Sequence, residues 1–167
     1  MAGPRKATGK DEGKDDGGLK GARVLVVEGR YYDEIADELL AGAKRALDAA
    51  KVDYDVATVP GALEVPQAVA LALDAAAKRK APYDGAVALG CVVRGETFHF
   101  EIVAGESARA LMDMSVDRRL ALGNGILTTE TIEQAEERAD PARGDKGGEA
   151  ARAAVGLADL ERRLGRR

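Results

Sequence analysis

A chain of 167 residues, 46% of them hydrophobic, is enough for one ordinary domain around one core and leaves little for a second. Its formal net charge of -4 comes from 29 acidic and 25 basic residues mixed along the sequence, so the basic footprint that nucleic-acid binding needs is missing. One cysteine and one histidine exclude an internal disulfide framework and are too few soft ligands for a structural zinc site, while no apolar run approaches the roughly 20 residues that span a bilayer.

Residues 1–20 are rich in Gly, Lys, Asp and Glu and offer almost nothing to bury, which predicts a disordered polar tail ahead of one domain over residues 21–167. The tail lacks the apolar core of a signal peptide, and the chain is expected to be cytoplasmic. From Ala22 two periods alternate. Arg23-Val24-Leu25-Val26-Val27 reads as a strand, and Ile35, Ala36, Leu39, Leu40, Ala43 and Leu47 fall at helical spacing. Asp55 to Val59 repeats the strand signal, and the alanine-rich stretch from about Glu64 to Lys78 repeats the helix signal. Gly85 to Val93 is apolar almost throughout, as a central parallel strand covered on both faces should be. A helix is then predicted over Gly105 to Leu120, a strand weakened by Gly123 and Gly125 over Leu122 to Leu127, and two helices over Thr131 to Ala139 and about Gly147 to Leu164. Right-handed crossovers between such units give a flavodoxin-like α/β three-layer sandwich with a four-stranded parallel sheet in the order 2-1-3-4.

Ligands of open parallel sheets collect beyond the carboxyl ends of the strands, so the loops that follow each strand are where chemistry is expected. After the second strand, Val59-Pro60-Gly61-Ala62-Leu63-Glu64-Val65-Pro66 is stiffened by two prolines and a glycine. Such a loop can fix the Glu64 carboxylate for a ligand bearing hydroxyl or amide-like groups, or Glu64 can simply sit favourably in the first turn of the next helix; the residues alone leave both readings open. After the third strand, Arg94-Gly95-Glu96-Thr97 offers a glycine turn and backbone amides suited to a phosphate, just before His99, the only histidine. An imidazole is the side chain whose ordinary pKa lies between pH 5 and 8. Thr128 to Thr131 contains a candidate helix cap. Arg138, near the end of the following helix, fits either a dipole partner or a phosphate clamp.

Taken in order, Val59-Pro60-Gly61-Ala62-Leu63-Glu64-Val65-Pro66, Gly90-Cys91-Val92-Val93-Arg94-Gly95-Glu96-Thr97-Phe98-His99-Phe100, Gly125-Ile126-Leu127-Thr128-Thr129-Glu130, Glu133-Gln134-Ala135 and Arg138 resemble the 6,7-dimethyl-8-ribityllumazine synthases. The resemblance runs from about Gly21 to the carboxyl terminus. It implies condensation of 5-amino-6-(D-ribitylamino)uracil with 3,4-dihydroxy-2-butanone 4-phosphate, releasing phosphate and water, with no cofactor and no metal. By the same resemblance Tyr31 stacks on the pyrimidine, Ala62, Leu63 and Glu64 hold the ribityl amine, and Cys91, Val92 and Val93 lie beneath its ring. Glu96, Thr97, Arg138 and Lys146 match the phosphate site, and His99 matches the proton-transfer residue. The partners implied are two small-molecule substrates and further copies of the chain. The family forms homopentamers, sometimes capsids, in which Asn124, Arg138 and Lys146 of one subunit face Tyr31, Glu64 and His99 of the next.

Three positions depart from the family pattern. Tyr31 stands for a frequent phenylalanine and is followed by Tyr32 where a small polar residue is common; Asn124 stands where many members have a second aromatic; Asp145 replaces a common asparagine, where its charge is expected to offset Lys146. The rival reading is a non-catalytic flavin-binding or shell-forming protein on the same fold, since fold alone does not separate these. Retention of His99 and Arg138 favours turnover, because a passive binder needs no proton relay.

Overall fold

The runs Val24 to Val27 and Ala86 to Leu89 are buried along their whole length, the condition met by parallel strands covered by helices on both faces. The computed structural model describes Leu19 and residues 21–165. The expected polar tail over residues 1–20 therefore lies outside the described residues, Leu19 excepted; its carbonyl accepts from the Ala22 N–H at 2.8 Å and its side chain packs against the core.

The elements in chain order are β1 (Arg23–Gly29), α1 (Asp33–Ala49), β2 (Asp53–Val59), α2 (Val65–Lys78), β3 (Gly85–Val93), α3 (His99–Asp117), β4 (Leu122–Thr129), α4 (Ile132–Ala139) and α5 (Lys146–Gly165). The strands form one parallel sheet in the order β2-β1-β3-β4. This is the predicted sandwich. On one face Leu39, Ala43 and Leu47 of α1 pack with Ala135 and Ala139 of α4 and Ala150, Ala151 and Ala154 of α5. On the other, Val65 and Val69 of α2 and Leu111 of α3 cover Leu25, Val27, Ala86 and Ala88.

Helix α3 and strands β2 and β4 differ in extent from the sequence expectation, β2 starting at Asp53 rather than Asp55. Helix α3 starts at His99, six residues before Gly105, and stops at Asp117. Its exposed apolar residues Phe98 and Ile102 blur the amphipathic pattern that would mark its first turn. Its end is set by Arg119, which adopts a left-handed conformation (φ 52°) while its N–H bonds to the Val116 carbonyl and that of Leu120 to Ser115. Lys51 and Lys80 close α1 and α2 in the same way. Strand β4 runs on to Thr129, and its glycines do not interrupt it. A β-carbon at Gly123 would lie 1.9 Å from the Ala150 carbonyl oxygen, so the glycine is what lets α5 pack directly against β4.

Candidate active site

The carboxyl ends of β1, β2 and β3 come together at the point where chain order reverses between β1 and β3, where sandwiches of this kind bind ligands. A cavity of about 390 Å³ opens there. Tyr31 and Tyr32 line it from the end of β1, Pro60 to Glu64 from the loop after β2, Cys91 to Val93 from the end of β3, and His99 and Val103 from α3.

A buried anchor holds the first two walls together. Glu28, 4% exposed, accepts from the Thr58 hydroxyl at 2.9 Å and pairs with Arg30 at 3.2 Å; Arg30 also reaches Asp37 at 2.7 Å. The Arg30 N–H donates to the Val59 carbonyl at 2.9 Å. These bonds carry the chain from β1 straight to Tyr31, which is 74% exposed and whose ring meets that of Tyr32 edge-on with centroids 5.0 Å apart. An added β-carbon at Gly29 would come within 2.6 Å of the Gly61 carbonyl carbon, so the close approach of β1 to the proline loop requires glycine. Glu64 occupies the N-cap position of α2, makes no capping bond with its side chain, and lines the cavity.

Cys91, 7% exposed, closes the floor with Val92. Burial pushes its thiol up to about 12, so it is held as a neutral, packing side chain. His99 is exposed at the first position of α3 with Val103 one turn behind it on the cavity side.

The residues matched to the phosphate site are placed differently. Glu96 and Thr97 lie exposed in the loop between β3 and α3 and do not line the cavity. Arg138 is in the last turn of α4, donating to the Gln134 carbonyl at 3.0 Å, and Lys146 opens α5 with its ammonium 2.5 Å from Glu149. Asn124 pairs in register with Ala88, three residues short of Cys91 and thus about 10 Å down the sheet from the cavity floor. Its side-chain oxygen accepts from the Ile126 N–H at 3.0 Å. Within one chain, Asn124, Arg138 and Lys146 do not meet the cavity. Thr131 caps α4 through its hydroxyl, which accepts from the Gln134 N–H. Asp145, expected to offset Lys146, pairs with Arg45 (3.2 Å) and Arg152 (3.0 Å), its carboxylate lying near Gly42 of α1 and Gly148 of α5. Among the described residues no group of three His, Cys, Asp or Glu side chains is placed to hold a metal ion, and no helix is long and apolar enough to cross a membrane.

Residues 21–162 match the model of the 6,7-dimethyl-8-ribityllumazine synthase family. The chain is 60% identical over 164 residues to the 6,7-dimethyl-8-ribityllumazine synthase of Afipia carboxidovorans, covering 98% of both chains. It is 62% identical over 150 residues to that of Methylocella silvestris, covering 90% of this chain and 92% of the relative. With 6,7-dimethyl-8-ribityllumazine synthase 1 of Rhizobium meliloti it shares 61% over 147 residues, 88% of this chain and 96% of the relative. The chain belongs to this family. For a lumazine synthase the cavity includes four residues that the sequence reading did not assign to a site: Tyr32, Pro60, Gly61 and Val103. Pro60 and Gly61 stood within the loop already singled out. Val103 could have been found from its i, i+4 relation to His99, had the helix been started there.

Proposed function

We propose that this protein condenses 5-amino-6-(D-ribitylamino)uracil with 3,4-dihydroxy-2-butanone 4-phosphate to give 6,7-dimethyl-8-ribityllumazine, phosphate and water. The observation that carries the reading is the single cavity shared by Tyr31, Glu64, Cys91 to Val93 and His99, in a chain that belongs to the lumazine synthases from residue 21 to residue 162. An amine must add to a ketone, phosphate must leave by elimination, and ring closure must expel water, so several protons move at one centre. His99, on the cavity rim, relays them. Tyr31 offers its exposed ring face to the pyrimidine, and Glu64 takes hydrogen bonds from the ribityl side.

The phosphate is held by Arg138 with Lys146 and the Glu96-Thr97 loop, and by a neighbouring copy of the chain rather than by one subunit alone. Support for a closed ring comes from the separation of Asn124, Arg138 and Lys146 from the cavity within one chain. It comes also from the apolar surface on α2 and α3, where Leu71, Ile102, Met112 and Val116 are exposed, as is Phe98 at the N-cap of α3. We assign the ring as a pentamer working in the cytoplasm, without cofactor or metal, with residues 21–167 as its folded unit. The test is direct: the purified protein, mixed with both substrates in the presence of a chelator, is expected to yield the fluorescent lumazine and one phosphate per turnover. Folded protein that forms no product from authentic substrates would overturn the reading.

A further inference from the structure

Helix α3 begins without a side-chain cap: Phe98 occupies the N-cap in helical conformation, and the first backbone bond, from the Ile102 N–H to the Phe98 carbonyl, is long at 3.4 Å. A helix start of that kind is not fixed by its own hydrogen bonds. His99 is nonetheless the first residue of this turn. What fixes the turn from outside is Arg94. Its guanidinium lies 4.1 Å from the centroid of the Phe100 ring, forms a salt bridge with Glu101, and donates through Nε to Glu130 at 2.7 Å. Its own N–H donates to the Thr129 carbonyl at 2.9 Å, so the residue is seated on the end of β4. One planar group thus grips the two residues that follow His99 and ties them to the turn after β4.

We propose that Arg94 is a positioning residue for catalysis, holding the first turn of α3 so that His99 faces the cavity at a fixed angle. The proposal rests on the assignment of His99 as the proton relay. Both ion pairs are partly exposed, with Arg94 and Glu101 side chains each at 38%, and pairs of that kind add little to stability. The value of the cluster is geometric: a guanidinium stacked on a ring and bonded at two edges has one orientation, and the turn it holds inherits it. Lysine would keep the charge without the flat face or the fork.

The experiment is a double-mutant cycle on the full chain with Arg94→Ala and His99→Ala, read by steady-state and single-turnover kinetics alongside thermal unfolding. Arg94→Ala is expected to lower kcat on the order of 10-fold to 100-fold, the range for losing a supporting contact or about 1 Å of alignment, with KM for either substrate moving less than about threefold. Arg94→Lys should recover only part of the loss. In the His99→Ala background, Arg94→Ala should cost almost nothing further. An unchanged kcat, or an equal loss with and without His99, would overturn the proposal; so would a rise confined to KM for the phosphorylated ketone, which would make Arg94 a phosphate ligand. His99→Ala with undiminished turnover would instead remove the proton-relay assignment itself, and Arg94's role with it. Should Arg94→Ala not fold, Glu101→Gln takes its place in the same cycle, with the same non-additivity expected on a smaller loss.

Discussion

Cys91 shows how the environment of one residue decides its chemistry. A thiol beside a catalytic cavity invites the role of nucleophile, but burial pushes its ionisation up to about 12, well above an ordinary thiol. The sign follows from the neutral form being the favoured one: the contribution to stability is complete below the ordinary thiol value and is lost as pH rises from there toward about 12. Native protein at pH 8 should therefore be alkylated at Cys91 at least roughly 10²-fold more slowly than the unfolded chain, since the thiolate is the reacting species. Urea unfolding of Cys91→Ala at pH 9 to 11 should show a flatter alkaline decline than wild type. Equal alkylation rates in the folded and unfolded states would refute the buried, protonated assignment. At this scale the sequence was informative where a residue sits within a stiff, contiguous motif: Ala62, Leu63, Glu64, Cys91, Val92 and Val93 all line one cavity. It was silent on Val103, whose side chain reaches the cavity only because α3 starts at His99.

Strand β3 could be read to its ends from composition, since an apolar run from Gly85 to Val93 has no other economical burial than the middle of a parallel sheet. Strand β4 shows the limit of that approach. Glycine lowers strand propensity when judged alone, yet Gly123 is demanded by a helix that arrives 27 residues later in the chain, at Ala150. Propensity describes a residue and its neighbours, and a contact of that range does not appear in it. Two glycines separate the effects. Gly123→Ala drives a β-carbon into the Ala150 carbonyl and should destabilise by about 3 kcal/mol or more, at the upper end of overpacking costs. Gly156, inside α5 with nothing within 4 Å of an added β-carbon, should instead gain about 0.5 to 1 kcal/mol on replacement by alanine through helix propensity. Denaturant midpoints of the two variants measure both, and a Gly123→Ala protein within about 1 kcal/mol of wild type would mean that α5 does not press on β4 as described.

For the whole molecule, the two substrate regions differ in how much one chain reveals. The cavity proposed for the pyrimidine is lined by loops at the ends of β1, β2 and β3, which the sheet order brings together, so strand order was enough to expect a ligand site there. In the proposed ring Asn124, Arg138 and Lys146 would meet the cavity of another copy, and no periodicity in one sequence encodes where a neighbour sits. A shared site has a consequence that a self-contained one lacks. Suppose His99→Ala and Arg138→Ala each abolish most activity, the first by removing the relay and the second by weakening capture of the phosphorylated ketone. If each site takes His99 from one subunit and Arg138 from the next, then co-refolding the two variants in equal amounts regenerates sites in which both residues are intact. Random mixing around a closed ring makes that about a quarter of all sites, so activity should recover to about a quarter of wild type from two nearly inactive parents. Mixing the preassembled variants without dissociating them should recover nothing, which separates subunit exchange from any effect of added protein. Activity that stays at the level of the parents after co-refolding, in particles of the same mass as wild type, would place both residues in a single subunit's site and overturn the ring arrangement.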